Sequence, residues 1–304
     1  MNRKQIIVIG DTIIDHSVFG ETLGLSLETP TIKGKFIEEE YTPGGAGNVV
    51  NNLLELGQRV NFITPLVNDD FGNIINNWED DNLTAIPMAS TGQNFVKSRF
   101  WLKRGESQYK TLQLNRGAPT SVSQAQVEEI LYIIEDIKPD LVMLVDYRCG
   151  LFDDPSTSEK IIKLCNKREI KVASSSQTSS NRNRYHYFKN SYLICMNRQE
   201  ATQISRTFEP NFCELNNLFH LLQSNICVTL GKEGAVCFDG KEVTYEPAHR
   251  VNALDPTGAG DSFFAALAYT ADNVDLGFCN KWAAASTLKV GTNVPTKEDL
   301  DAID

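Results

Sequence analysis

The chain has 304 residues, 41% hydrophobic and 22% charged, an ordinary globular composition that leaves one or two domains open. Its formal net charge of −10 argues against a nucleic-acid backbone as the main partner, because such binding needs Lys and Arg to release counterions. No apolar stretch approaches the ~20 residues needed to span a bilayer. The N-terminus runs straight into a short strand with no leader, which predicts no membrane partner and a cytoplasmic protein. The seven cysteines are scattered, without C-x-x-C spacing, and read as reduced core residues.

Residues 5–10 (QIIVIG) predict a buried strand closed by glycine. Residues 16–41 are polar and Thr- and Glu-rich, with partial alternation near 31–37, and predict strands of a small exposed sheet. Its acidic run Glu38-Glu39-Glu40 is expected to be solvated. A helix over 46–56 and a strand over 60–65 follow. Residues 94–114 again alternate, with a hairpin turn near Arg104-Gly105, so the two separated segments are expected to pair as one lid. The rest alternates between helix and strand. Helices are predicted over 123–137, 156–167, 276–289 and from Gly258 onward. Strands are predicted over 140–146, 170–174, 192–196 and 226–230. This order implies a parallel sheet covered by helices on both faces, with ligands outside the carboxyl ends of its strands.

The strongest chemical signal is Asn252–Phe264, NALDPTGAGDSFF. Small residues at Gly258, Ala259 and Gly260 let a ligand approach the backbone, and the free N–H groups of the helix start favour negative charge. Such donors suit a phosphoryl group in transfer. Asp261 is a carboxylate beside that anion site, able to accept the proton of an attacking hydroxyl. A plain capped helix on a glycine turn is the alternative. Residues 43–57, PGGAGNVVNNLLELG, place Gly44-Gly45 before a helix, and Asn48 offers a donor and an acceptor to vicinal hydroxyls or caps the helix. Asp11 and Asp15, at the end of the first strand, can accept hydrogen bonds from hydroxyls or cap a turn. Asn197 and Glu200 have the spacing of a helix cap. Residues 229–234, TLGKEG, read as strand–turn–strand. The G-x-x-x-x-G-K-[ST] string is absent, and so is G-x-G-x-x-G after a strand.

Together these strings resemble the ribokinase-like (PfkB-type) carbohydrate kinases, in order and over nearly the whole chain. DPTGAGD at 255–261 is similar to their signature D-T-x-G-A-G-D, with Pro256 in place of a commoner Thr or Ser. The resemblance implies a single domain over residues 1–304, built as a three-layer αβα ribokinase-like fold with a mainly parallel sheet and a small β-sheet lid from about 16–41 and 94–114. It implies ATP and Mg²⁺ as cofactors and a small sugar or sugar phosphate as partner. Asp261 would be the catalytic base, and Gly258, Ala259 and Gly260 the anion hole. Asp11, Asp15, Gly44, Gly45, Asn48 and Arg99 would bind the acceptor. Asn197, Glu200, Thr229, Gly231 and Gly234 would lie along the nucleotide, Glu200 holding Mg²⁺ through water. A monovalent cation such as K⁺ beside Asp255 is common in similar enzymes. Within the family the chain looks like the heptose-phosphate kinases, on SLETP at 26–30, Lys97-Ser98-Arg99, Asp146-Tyr147 and the tail 282–295. It departs from them at Gly24, where Arg is expected, at Cys149, where Lys is usual, and at Ser175-Ser176-Gln177, where D-P-K is usual. The added nucleotidyltransferase domain of bifunctional relatives is not expected in this length. The departures motivate a non-catalytic sugar or nucleotide sensor as the rival reading. A kinase for a ketodeoxy sugar acid or a nucleoside is a second. The lid edges suggest a homodimer.

Overall fold

A computed structural model describes residues 3–178 and 183–303. From the N-terminus come β1 (Gln5–Gly10), β2 (Thr12–Leu25), β3 (Ile32–Gly45), α1 (Ala46–Glu55), β4 (Arg59–Leu66), α2 (Gly72–Asn76), β5 (Leu83–Ala89), β6 (Gln93–Arg104) and β7 (Ser107–Ala118). Next are α3 (Gln124–Ile137), β8 (Leu141–Asp146), α4 (Pro155–Lys167), β9 (Lys171–Ser176), β10 (Leu193–Asn197), α5 (Arg198–Ser205) and α6 (Phe212–Leu222). The chain closes with β11 (Asn225–Thr229), β12 (Ala235–Phe238), β13 (Val243–Glu246), α7 (Ala259–Tyr269), α8 (Leu276–Ser286) and α9 (Lys297–Asp301).

Among the described residues the larger sheet has the order β13-β12-β11-β10-β9-β8-β1-β4-β5, parallel from β11 through β5 and antiparallel at β12 and β13. Its strands are apolar on both faces, and the two faces feed different cores. Ile6 and Val8 of β1 pack with α1, α7 and α8, while Ile7 and Ile9 pack with α3, α4, α5 and α6. Helix–sheet–helix layering follows directly from that two-sided burial.

The smaller sheet has the order β3-β2-β6-β7. Its outer pairs are antiparallel and β2 runs parallel to β6. The expected lid segments are its centre, but its strands reach further, from Thr12 and Gln93 to Gly45 and Ala118. Gly105, in the left-handed region, makes the expected hairpin turn. Gly24 also has positive φ and sits at a register shift between β2 and β3, so the departure there is a bulge glycine.

α2, β5, α6, β13 and α9 are not among the elements expected from the sequence, and α8 is shorter than expected; β5 and α8 show why. β5 carries Pro87 on the edge of the larger sheet, where a missing ladder donor costs nothing, and its mixed burial hides it from pattern reading. α8 stops at Ser286 instead of continuing to 289. Thr287 gives its carbonyl to the N–H groups of Leu254 and Asp255, and Gly291 gives its N–H to the Asp255 carboxylate, so both partners that would extend the helix are taken.

Candidate active site

The carboxyl ends of β8, β9, β10 and β11 open on a polar cleft of 170 Å³, roofed by the start of α7. Asp261 projects into it from the first turn of α7. Gly258 caps that helix in the left-handed region, and a Cβ there would stand 2.8 Å from Asn48 Nδ2. Glycine is therefore what lets α1 and α7 meet at this point. Among the described residues no acceptor faces the N–H groups of Gly260 and Asp261, as expected of a helix start. Ala259 differs, because its N–H bonds to the Pro256 carbonyl at 3.2 Å.

Both oxygens of Asp261 are engaged. Asn48 Nδ2 donates to Oδ2 at 2.9 Å, and the Tyr147 hydroxyl donates to Oδ1 in a short hydrogen bond. Burial pushes the Asp261 carboxyl up to about 6, while the two donors and the charge of Lys97 pull it down. Burial and the neighbouring Asp261 charge push the Tyr147 phenol well up, so it stays a donor. Lys97, on β6, holds its ammonium 5.5 Å from the Tyr147 ring centroid.

Below the lid, Asp15 is buried and pairs with buried Arg99, Nη1 to Oδ1 at 2.6 Å. A Cβ on Gly44 would stand 2.2 Å from Asp15 Oδ2, and one on Gly45 would stand 2.8 Å from the Asp11 carbonyl. The glycine pair thus makes room for the Asp15 carboxylate against the backbone. Arg99, expected to bind the acceptor, reaches Asp15 through Nη1.

Asp11 takes the turn-capping place that the sequence also allowed. Its carboxylate accepts three backbone N–H groups, from Tyr147 and Cys149 at 3.0 Å each and from Leu151 at 3.1 Å. It clamps the loop after β8. Burial and the nearby Asp146 charge push it up to about 7, against those three bonds. The Cys149 position lies inside this clamped loop, where burial pushes the thiol up. Ser175 and Gln177 line the cleft, and the Ser176 hydroxyl donates to Asp146 at 2.7 Å.

On the nucleotide side, Asn197 and Glu200 form a capping box at the start of α5. Glu200 Oε2 accepts from Asn197 N and from the Tyr185 hydroxyl, each at 2.8 Å, while burial pushes the carboxyl up. Glu200 still lines the cleft. The turn at Gly231–Gly234 is held by a forked ion pair from Arg198 to Glu233 at 2.9 and 2.7 Å. Gly234 is obligatory there, since a Cβ would stand 2.0 Å from the Glu246 carbonyl, whereas Gly231 faces open space. A second, mainly apolar cavity of 570 Å³ adjoins the cleft through Thr229 and Gly260, walled by Val251, Phe263 and Ala283 among others. A flat aromatic base fits such walls, with its phosphates reaching the polar cleft.

Among the described residues no cluster of three His, Cys, Asp or Glu could hold a metal on protein ligands alone. The single Glu200 carboxylate suits Mg²⁺, which keeps much of its water and shares phosphate oxygens. Asp255 is buried, with Oδ1 accepting from Thr257 N and Oγ1 and Oδ2 from Gly291 N, so it ties two loops together.

Residues 3–298 match the pfkB family carbohydrate kinases. The chain belongs to this family. It is 29% identical to the Bifunctional protein HldE of Campylobacter curvus over 276 residues, 88% of this chain and 57% of that protein. It is 26% identical to the HldE of Aliarcobacter butzleri over 314 residues, 98% of this chain and 64% of that protein. The chain thus spans less than two thirds of the length of these relatives. Phosphofructokinase-2 from Escherichia coli, solved in complex with potassium, superposes with a TM-score of 0.78 at 17% identity, over 100% of this chain and 98% of that one. Ribokinase from Thermotoga maritima gives 0.70 at 22% identity, over 98% of each chain. The fold is therefore ribokinase-like, within a family of carbohydrate kinases.

Three residues at this site had no role assigned from the sequence: Tyr147, Asn52 and Trp282. Tyr147 had a local signal, since it directly follows a buried strand that ends in Asp. Asn52 and Trp282 had none, because each looks like an ordinary helix residue until α1 and α8 are brought together.

Proposed function

We propose that this chain transfers the γ-phosphoryl group of ATP to a hydroxyl of a sugar or sugar phosphate, with Asp261 as the base. The observation that carries this reading is the Asp261 carboxylate beside the unpaired N–H groups of Gly260 and Asp261, facing a cleft continuous with an apolar cavity. ATP lies with its base in that cavity near Thr229, Gly231 and Gly234 and its phosphates in the cleft. Glu200 would help hold Mg²⁺, which would supply positive charge beside the phosphates. Asn197 acts by fixing Glu200.

The acceptor lies between Asp15, Gly44-Gly45 and the lid, and Arg99 holds the Asp15 carboxylate in place. Asp261 takes the proton of its hydroxyl as the oxygen attacks, and the start of α7 holds the transferring charge. Asn48 serves the base as a donor. Lys97 is half-buried at the same place, and its ammonium suits an acidic group on the acceptor. That supports a phosphorylated sugar, with heptose 7-phosphate as the first candidate from the resemblance to heptose-phosphate kinases. The reaction belongs in the cytoplasm.

The test is ADP release with Mg²⁺–ATP and K⁺ across heptose phosphates, hexoses, hexose phosphates, ketodeoxy sugar acids and nucleosides, for the wild type and Asp261→Asn. Acceptor-dependent turnover that falls roughly 10²–10⁴-fold in the variant is the expected result. Wild-type turnover in Asp261→Asn would overturn the assignment of the base. ATP or sugar binding with no turnover on any acceptor would favour the sensor.

A further inference from the structure

We propose that Asn52 and Trp282, which lie outside the cleft, are positioning residues that aim Asp261 through a one-way chain of hydrogen bonds. The inference rests on reading Asp261 as the base. Trp282 Nε1 donates to Asn52 Oδ1 at 2.8 Å. Asn52 Nδ2 donates to the Asn48 carbonyl at 2.8 Å and faces Asn48 Oδ1 at 3.4 Å. Asn48 Nδ2 then donates to Asp261 Oδ2 at 2.9 Å.

The direction of this chain is forced by chemistry. An indole N–H only donates, and a backbone carbonyl only accepts. Asn52 is caught between one of each, so its side-chain oxygen must face Trp282 and its amino group must face Asn48. That amino group meets the side-chain oxygen of Asn48, which leaves the Asn48 amino group for Asp261. Reversed, Asn48 would set an oxygen against the carboxylate and favour its protonated form. Asn48, Asn52 and Trp282 are all buried, so water does not substitute for a missing link. Gly258 keeps the space into which the Asn48 amino group reaches.

Burial alone raises the Asp261 carboxyl, and a lost donor raises it further. A base with a raised pKa is protonated over a wider range, so its activity is lost at higher pH. Asn52→Leu and the milder Trp282→Phe break the chain at two points. Two readouts serve: the pH titration of the Asp261 carboxyl carbon by ¹³C NMR in ligand-free protein, and the acid limb of the kcat/KM profile. Both midpoints, near 6 in the wild type, are expected to rise by roughly one pH unit in each variant that folds, with KM for ATP unchanged. Either variant, folded by circular dichroism and with both midpoints unmoved, would overturn the proposal. If Asp261→Asn keeps its turnover, the base reading falls, whereas a shifted carboxyl titration still establishes the chain of bonds.

Discussion

Asp11 and Asp15 lie four residues apart and have different tasks. The first is closed off by three backbone donors, and the second is held open under the lid by one arginine. Asp11→Ala would strand three buried N–H groups at 1–3 kcal/mol each, so a loss of about 3 kcal/mol or more is expected in urea unfolding. An unchanged midpoint would show that the loop after β8 does not depend on this clamp. Asp261 works by ionisation, and the sign follows from its position. Its carboxyl is raised to about 6 and it accepts a proton only when ionised. kcat/KM should therefore be half-maximal near pH 6, fall below it and level off above it. A profile flat from pH 5 to 8 would remove Asp261 from the rate equation. Tyr147 adds no basic limb in that range, because burial keeps its phenol protonated.

At the scale of elements, the junction of β3 with α1 carries the acceptor side. Gly44 is small because the Asp15 carboxylate occupies the space a side chain would need. Gly44→Ala places a methyl 2.2 Å from Asp15 Oδ2 and must push that carboxylate off Arg99. The expected outcome is a KM for the acceptor raised about tenfold or more, a cost of ~1.4 kcal/mol or more, with KM for ATP unchanged. Equal rises in both constants would instead point to a shift of α1 as a whole. The start of α7 and the end of α8 are tied to one another by Asp255, through Thr257 on one side and Gly291 on the other. This explains why a helical pattern legible to residue 289 is cut short at Ser286.

The whole molecule presents a lid whose outer strands β3 and β7 are exposed on both sides. Ile32 and Phe36 of β3, Leu112 and Leu114 of β7, and Leu23 and Leu25 at the end of β2 stand in solvent. An apolar groove runs across the same sheet, lined by Phe19, Phe36, Phe100, Trp101 and Leu112. The homodimer that the lid edges suggest would be joined here, lid to lid. Phe36→Asp with Leu112→Asp is expected to convert a dimer to a monomer in sedimentation velocity, and a wild-type monomer at micromolar concentration would refute the pairing.

The body of the fold was legible in the sequence because its elements follow local rules. Buried strands such as 140–146 are unbroken apolar runs, and the capping residues Ser123 and Asn197 stand where their helices begin. The lid strands alternated visibly, though their full length was hidden where β2 leaves β1 through a single residue, Asp11. The residues that meet at the cleft were also legible, since Asp261, Gly258, Asn48 and Asp15 sit in short strings with a recognisable pattern. Only the tertiary structure decided what each oxygen and each N–H group touches. The Asp11 carboxylate accepts three backbone N–H groups, one Arg99 nitrogen pairs with Asp15, and the Trp282 indole N–H reaches Asn52. Such assignments depend on partners 84 to 230 residues apart in the chain, and no local pattern encodes a distance of that kind.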